Sequence, residues 1–238
     1  MSRMEIFGID GIGEIQPGDD LADIIATAAA SSPSSQLQNG DVVVVTQKIV
    51  SKAENRLVKI DPNDPLSHKP LVEQEAVRVL RRRGDLLLTE TTHGFVCANA
   101  GIDLSNVESG WAALLPVDPD RSARRIRDGL RHKAGAEVAV IISDTFGRTW
   151  RRGVTDVAIG SAGILPILDL RGTPDALGRE MHVTEVAIVD EIAGAAELVM
   201  GKTTNIPVAV VRGVEAHWLG DGNVKDDIVR HPTDDLFR

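Results

Sequence analysis

The sequence predicts an α+β, mixed α/β fold: mixed β-sheets flanked by helices, in a single domain covering residues 1–238. Three observations predict it. Short apolar, β-branched runs at 42–45, 138–142 and 207–211 read as strands buried on both faces. Stretches of helical pattern at 21–30, 121–133 and 191–200 lie between them. No internal repeat and no long linker divides the chain.

Residues 4–9 form a short apolar run that reads as a strand and leads into Gly8, Gly11 and Gly13. The spacing is G-x-x-G-x-G, not the dinucleotide fingerprint G-x-G-x-x-G, and no helical pattern starts directly after it, so a Rossmann turn is rejected. A plain turn, or backbone N–H groups brought close to a ligand, are the two readings left. Pro17-Gly18-Asp19-Asp20 reads as a helix start, with Asp19 or Asp20 capping residues 21–30. The turn Asn39-Gly40-Asp41 precedes the strand at 42–45, whose exit at 46–52 carries Lys48, Lys52, Thr46 and Ser51. The carboxyl end of a core strand is where an open α/β sheet presents ligand contacts, although a solvated strand exit has the same composition. Residues 61–70 hold three prolines and read as a surface loop. Residues 71–83 then read as an amphipathic helix, with Arg81, Arg82 and Arg83 offsetting the dipole at its C-terminus.

Strands are expected at 86–88 and 94–98, the second running into a polar turn with Asp103 and Asn106. Those oxygens suit a hard divalent cation or a nucleotide hydroxyl, and are also ordinary turn residues. Residues 111–115 pass into Pro116-Val117-Asp118-Pro119-Asp120, which caps the basic helix at 121–133. The strand at 138–142 delivers Asp144 and Thr145 at its carboxyl end, Phe146 and Gly147 turn the chain, and Arg148, Arg151 and Arg152 follow close behind. Three permanent cations in so short a span suit an anionic guest, or simply pair with acidic neighbours. Residues 157–164 are glycine-rich and apolar, hard to bury in one small core. A strand at 183–188 and the alanine-rich helix at 191–200 lead to Gly201-Lys202-Thr203. This matches the end of a Walker A pattern, but Ala196 replaces the first glycine and a helix, not a strand, precedes it; the P-loop is discarded and a phosphate-facing loop kept. After the strand at 207–211 the tail is polar and irregular in pattern.

Composition narrows the classes. With 42% hydrophobic and 26% charged residues, the chain has ordinary globular usage. A net charge of -9 leaves no extended nucleic-acid footprint, so no nucleic-acid partner is expected and any basic site is local. The one cysteine, Cys97, forms neither an internal disulfide nor a multi-cysteine metal site, which fits a reducing cytoplasm. No window approaches the roughly 20 apolar residues of a membrane span and the N-terminus has no signal-peptide pattern, so a soluble, cytoplasmic protein with no membrane partner is expected. Taken together, the strand ends carry Gln47, Lys52, Asp103, Asn106, Asp144 and Thr145. Two carboxylates with cations nearby suggest a two-metal or bridged-metal site that positions polyphosphate, and spacing alone does not name the reaction.

The runs VVVVTQKIVSKAENR, NAGIDLSNV and above all SDTFGRTWRRGVTDVAIGSAGI resemble hallmark segments of the coenzyme F-420:L-glutamate ligase (F-420-0 gamma-glutamyl ligase) family, as do VTEVAIVDEIAGAAELVMGK and PVAVVRG. The resemblance covers nearly the whole chain in order. It implies that family's fold in its stand-alone form, without the C-terminal nitroreductase-like domain of some relatives, and a homodimer. It implies a GTP-dependent ligase that adds L-glutamate to the deazaflavin precursor of coenzyme F-420, releasing GDP and phosphate, with Mg2+ or Mn2+, two ions in all, and K+ as a further candidate ion. By the same resemblance GTP meets Ile12, Gly13, Glu14, Ile15, Gln47, Lys52, Asn106, Gly201 and Lys202. Asp103 and Asp144 hold metal and carry catalysis with Lys52, and Thr145 holds a second metal. Members often have serine where Gln47 stands. Arg148, Arg151 and Arg152 are candidates for the precursor's phosphodiester or the glutamate carboxylates. Two other classes use the same residues: a metal-dependent phosphohydrolase, and a GTP-binding regulator that leaves the nucleotide intact.

Overall fold

A computed structural model of the chain describes residues 3–236. The ends of the expected single domain, residues 1–2 and 237–238, lie outside the described residues. The N-terminal part runs β1 (Glu5–Gly8), α1 (Leu21–Ala30), β2 (Val42–Thr46) and α2 (Gln47–Ala53). An insertion follows, with β3 (Leu57–Lys59), α3 (Lys69–Glu75), β4 (Ala76–Arg83), β5 (Leu86–Thr91), β6 (Val96–Ala98) and β7 (Trp111–Ala113). The chain returns through α4 (Pro119–Ala134), β8 (Ala139–Arg148) and β9 (Arg151–Ala162). It closes with β10 (Leu168–Asp169), β11 (Glu185–Val186), α5 (Ile188–Met200), β12 (Val208–Arg212) and α6 (Val224–Asp227).

The main sheet has the order β1-β12-β2-β8-β9. β2 and β8 are parallel, while the β1–β12, β12–β2 and β8–β9 pairs are antiparallel. β1, β2 and β8 therefore point the same way, and their carboxyl ends meet the amino end of β12 at one edge. This is the fact that positions the site. Each of β2, β8 and β12 has an uninterrupted apolar run because both faces are covered: Val42 to Val45, Val140 to Ile142 and Val208 to Val210 are essentially inaccessible. Helix α4 packs on β8, β9 and α1, and α5 on β9, β12 and β1.

Local chemistry explains the helix ends. Asp20 caps α1 by accepting from the backbone N–H groups of Ala22 and Asp23. Asp118 caps α4 through Arg121 N, and Gly135, at φ 67°, closes it in the left-handed conformation. Buried Asp120 accepts from Ser161 N, Val224 N and Lys225 N, tying the start of α4 to β9 and α6. The approach is so close that a Cβ at Gly160 would stand 2.4 Å from the Pro119 carbonyl carbon. The insertion forms a two-stranded β3–β7 sheet and a three-stranded β4-β5-β6 sheet. It is held near the main sheet by Phe95, whose ring meets Phe146 edge-on at 6.0 Å.

Several expectations are corrected. Residues 71–83 are not one helix: α3 ends at Glu75 and β4 begins at Ala76. Val77 and Val79 flank Arg78, a strand-like alternation, and pairing with β5 outweighs the helical pattern; Arg78 reaches Glu90 at 3.0 Å across the pair. Arg81 to Arg83 accordingly sit on a strand and offset no helix dipole. The exit of β2 is the short helix α2. Phe146 and Gly147 do not turn the chain, because they pair with Thr155 and Val154; the hairpin turns at Thr149 and Trp150. Only Glu185–Val186 of the run at 183–188 is strand, and helix α5 starts at Ile188, not at Glu191. Residues 158–162 are buried in β9 under α4 and α5 of their own chain, so their apolar character gives no reason for a homodimer.

Candidate active site

The sheet edge opens into a cavity of about 830 Å³. Its walls are the loop after β1, the start of α2, the loop after β6, the end of β8 and the segment between α5 and β12. Ile12, Gly13, Glu14 and Ile15 line it, with Gln47, Lys52, Asp103, Asn106, Asp144, Thr145, Gly201 and Lys202. These come from five separate stretches of sequence. The strand directions bring them together: β2 ends at Thr46, just before Gln47, where β8 delivers Ser143, since Thr46 pairs with Ser143. Asp103 arrives from the insertion, bridged to Ala113 by two backbone hydrogen bonds of 2.9 Å.

Arg148, Arg151 and Arg152 do not join this group. They sit exposed at the tip of the β8–β9 hairpin beside Trp150, and Arg148 donates to the Arg152 carbonyl at 2.9 Å. Gln47 lines the cavity, but its amide nitrogen donates to Ser51 Oγ at 2.6 Å and to the Leu114 carbonyl at 3.1 Å. Both of its amide hydrogens are thus spent, one inside α2 and one on the chain after β7, to which Ser51 also donates.

Two side chains, Asp156 and Glu197, escape the sequence reading as site residues, and Lys48 stands in it at the strand exit without a partner. Asp156 stands opposite Thr145 in the β8–β9 register, nearly fully buried, accepting from Thr145 Oγ1 at 2.6 Å and Ser143 Oγ at 3.1 Å. A hairpin continued past Phe146 and Gly147 would have found it. Lys48 pairs with Asp103 at 2.9 Å and donates to Ser105 Oγ at 3.0 Å, fixing the loop that carries Asp103 and Asn106. Glu197, from the last turn of α5, pairs with Lys202 at 2.9 Å. Lys202 also pairs with Asp156 at 3.1 Å and donates to Thr145 Oγ1. Lys52, almost buried, is bonded to Glu14 on the exposed loop after β1.

Charge is unevenly balanced across the cavity. Burial pushes the Asp144 carboxyl up to about 7, against the Thr145 backbone N–H; Asp103 and Asp156 push it the same way, and Lys202 only partly offsets them. Burial acts upward on Asp103 too, but Lys48 and the Ser105 N–H outweigh it and hold its pKa below the usual carboxylate range. Burial works against the Lys202 ammonium, yet Glu197 and Asp156 keep its pKa above the ordinary value. The Cys97 thiol is pushed up to about 12 by burial and then by Asp144, so it is inert at neutral pH.

The Asp144 carboxylate feels the negative charges of Asp103 and Asp156, only partly offset by Lys202, a setting that a hard divalent cation relieves. Among the described residues no three of His, Cys, Asp and Glu stand close enough to hold an ion by themselves. An ion at Asp103 and Asp144 would complete its shell from substrate oxygens and water, as is usual for Mg2+ on one or two carboxylates.

Comparison with known proteins gives a family. The model of the F420-0:Gamma-glutamyl ligase family matches residues 11–213. The chain is 40% identical over 251 aligned positions, 99% of each chain, to the "Coenzyme F420:L-glutamate ligase" of Methanothermobacter thermautotrophicus. It is 41% identical to the protein of the same name from Methanopyrus kandleri, over 94% of each chain. For the Archaeoglobus fulgidus protein of that name the identity is 37%, over 99% of this chain and 97% of the relative. Among the described residues no helix is long and apolar enough to cross a membrane.

Proposed function

This chain belongs to the F420-0:gamma-glutamyl ligase family, and on that premise we propose that it ligates L-glutamate to the deazaflavin precursor of coenzyme F420 at the expense of GTP. One observation carries the reading: a single cavity gathers Lys48, Lys52 and Lys202 with Asp103, Asp144 and Asp156 at the edge where three core strands end. Such a mixture of fixed cations and carboxylates suits phosphoryl transfer, where catalysis is mostly positioning and electrostatics.

A carboxylate is a poor acceptor for an amine, so the reaction needs an activated acyl group. In the proposed sequence an oxygen of the precursor's carboxylate attacks the γ-phosphorus of GTP, the bond from that phosphorus to the βγ-bridging oxygen breaks, and GDP leaves with the oxygen. The amine of glutamate then attacks the acyl carbon. The carbon–oxygen bond to phosphate breaks, phosphate leaves with the former carboxylate oxygen, and the amine gives up a proton as the amide forms. A Mg2+ or Mn2+ ion held by Asp103 and Asp144 would supply charge neutralisation at the phosphoryl oxygens. Lys52 reaches the nucleotide phosphates by leaving Glu14, an exchange made easy by the exposure of the Glu14 side chain. The 12–15 loop, with open space around Gly13, lets backbone approach the same phosphates. Lys48 holds the Asp103 loop in place, and with it Asn106, which sits at φ 53° and which we assign to a nucleotide contact. The lone buried Cys97 suits the reducing cytoplasm in which we place the reaction.

Mass spectrometry after incubation with the deazaflavin precursor, glutamate, MnCl2 and either GTP or ATP tests this reading. A product heavier by one glutamyl residue, with GTP and not with ATP, is the expected result. GDP release at full rate without glutamate would mean a phosphohydrolase. Intact GTP in every mixture would mean a nucleotide-binding regulator.

A further inference from the structure

The family resemblance implies two divalent ions, the second on Thr145. Around Thr145, however, the oxygens that such an ion would use are already engaged by an ammonium. The hydroxyl of Thr145 donates to Asp156 Oδ1 at 2.6 Å and accepts from the Lys202 ammonium. The same ammonium stands 3.1 Å from Asp156 and 2.9 Å from Glu197. The ammonium donates to Thr145 and Asp156 and is ion-paired with Glu197. Lys202, although about half exposed, is thus engaged with three side chains. It fills a position whose oxygen partners, a hydroxyl and two carboxylates, are those a hard cation would use.

We infer that Lys202 is a built-in cation that replaces the second divalent ion, so that this chain works with one exchangeable metal, on Asp103 and Asp144, and one fixed ammonium. The inference rests on the GTP- and metal-dependent reading above and deepens it. Three features support it beyond the contacts themselves. Asp156 is buried at the end of the Ser143 and Thr145 hydrogen bonds, so its negative charge needs a permanent partner, and Lys202 supplies one. Glu197 lies in the last turn of α5 and Lys202 just beyond Gly201, which sits at φ 58°; the turn folds the lysine back over the end of its own helix. Lys202 also shares the field of Asp144, so a fixed positive charge already stands beside the exchangeable site. A divalent ion at Thr145 and Asp156 would compete with Lys202 for the same oxygens.

Counting Mn2+ tests this without measuring turnover. The protein, saturated with a non-hydrolysable GTP analogue, is titrated with MnCl2 by equilibrium dialysis, and the bound ions are examined by electron paramagnetic resonance. The wild type should hold one Mn2+ per chain with the spectrum of an isolated ion. K202E, which removes the ammonium and adds a carboxylate beside Thr145, should hold two, with the line broadening of a coupled pair. K202R, which keeps a cation, should hold one, and a circular dichroism spectrum like that of the wild type is required of each variant. Two coupled ions in the wild type would overturn the inference and leave the ligase reading standing. One ion in a folded K202E would overturn it as well, because the vacated oxygens would then not be a cation site. No bound Mn2+ in the wild type would overturn both readings.

Discussion

Asp144→Asn should stabilise the metal-free protein while abolishing its chemistry. Asparagine keeps the shape of the side chain and can still accept from the Thr145 N–H, the bond that Asp144 makes at 2.8 Å. It removes a carboxylate whose pKa is pushed from 3.8 up to about 7 by burial and by the charges of Asp103 and Asp156. The folded-state pKa is raised, so the cost of this carboxylate is nil below pH 3.8, where both folded and unfolded chains hold the proton. The cost grows as pH rises, because the unfolded chain ionises first, and is complete above about 7. At 1.36 kcal/mol per pKa unit the ceiling is about 4 kcal/mol, which solvent access and relaxation reduce to about 2 kcal/mol. For a chain of this length that corresponds to a gain of roughly 4–8 °C in Tm at pH 8. At pH 5, about a third of the way between the two pKa values, about a third of the gain should remain. Thermal melts of both proteins in EDTA at the two pH values measure it. Added MnCl2 and nucleotide should raise the wild-type Tm by more than that of the variant, while ligation by the variant falls about 10³-fold or more. A variant that melts below the wild type at pH 8, or gains equally at pH 5 and pH 8, would refute the electrostatic argument.

Lys52→Ala should leave stability nearly unchanged, since Glu14 is exposed and can turn to water, but should weaken GTP and ATP alike by roughly 10- to 150-fold, the worth of a charge-assisted hydrogen bond; calorimetric titration with both nucleotides in MgCl2 checks it, and a loss confined to GTP would mean that Lys52 reads guanine. Gly160→Ala should destabilise by about 1–3 kcal/mol or fail to fold, because its Cβ would fall on the Pro119 carbonyl; urea denaturation at neutral pH decides, and an unchanged midpoint would contradict the packing. Cys97 should resist iodoacetamide in native protein at pH 8 and react only on unfolding, as read by mass spectrometry of the intact chain; rapid native labelling would contradict its burial.

Much of the fold was legible because the strongest elements agree with their local signals. Asp20 and Asp118 stand at helix starts as their residue types demand, and the runs in β2, β8 and β12 lack alternation because both faces are covered. The reading failed where pairing between distant segments decides the outcome. Residues 76–83 satisfy a helical pattern, and only the presence of β5 across from them makes them a strand. Phe146 and Gly147 resemble a turn in isolation, yet each has a partner in β9. That same misreading hid Asp156, which becomes visible only once the hairpin register places it opposite Thr145. Twelve of the fifteen anticipated site residues line one cavity: six stand at strand ends, which are predictable places, and the other six, Ile12, Gly13, Glu14, Ile15, Gly201 and Lys202, come from the family resemblance, whereas the arginines of the hairpin tip lie off it because no local signal reports how far β8 extends.

The most direct test of the proposed chemistry follows one oxygen atom. The deazaflavin precursor, labelled with 18O in the carboxylate that becomes the amide, is incubated with GTP, glutamate and MnCl2, and the released phosphate is analysed by mass spectrometry. Transfer through an acyl phosphate predicts one 18O in each phosphate formed per amide bond. Phosphate without label, formed at the same rate as the amide or in the absence of any amide, would contradict the account.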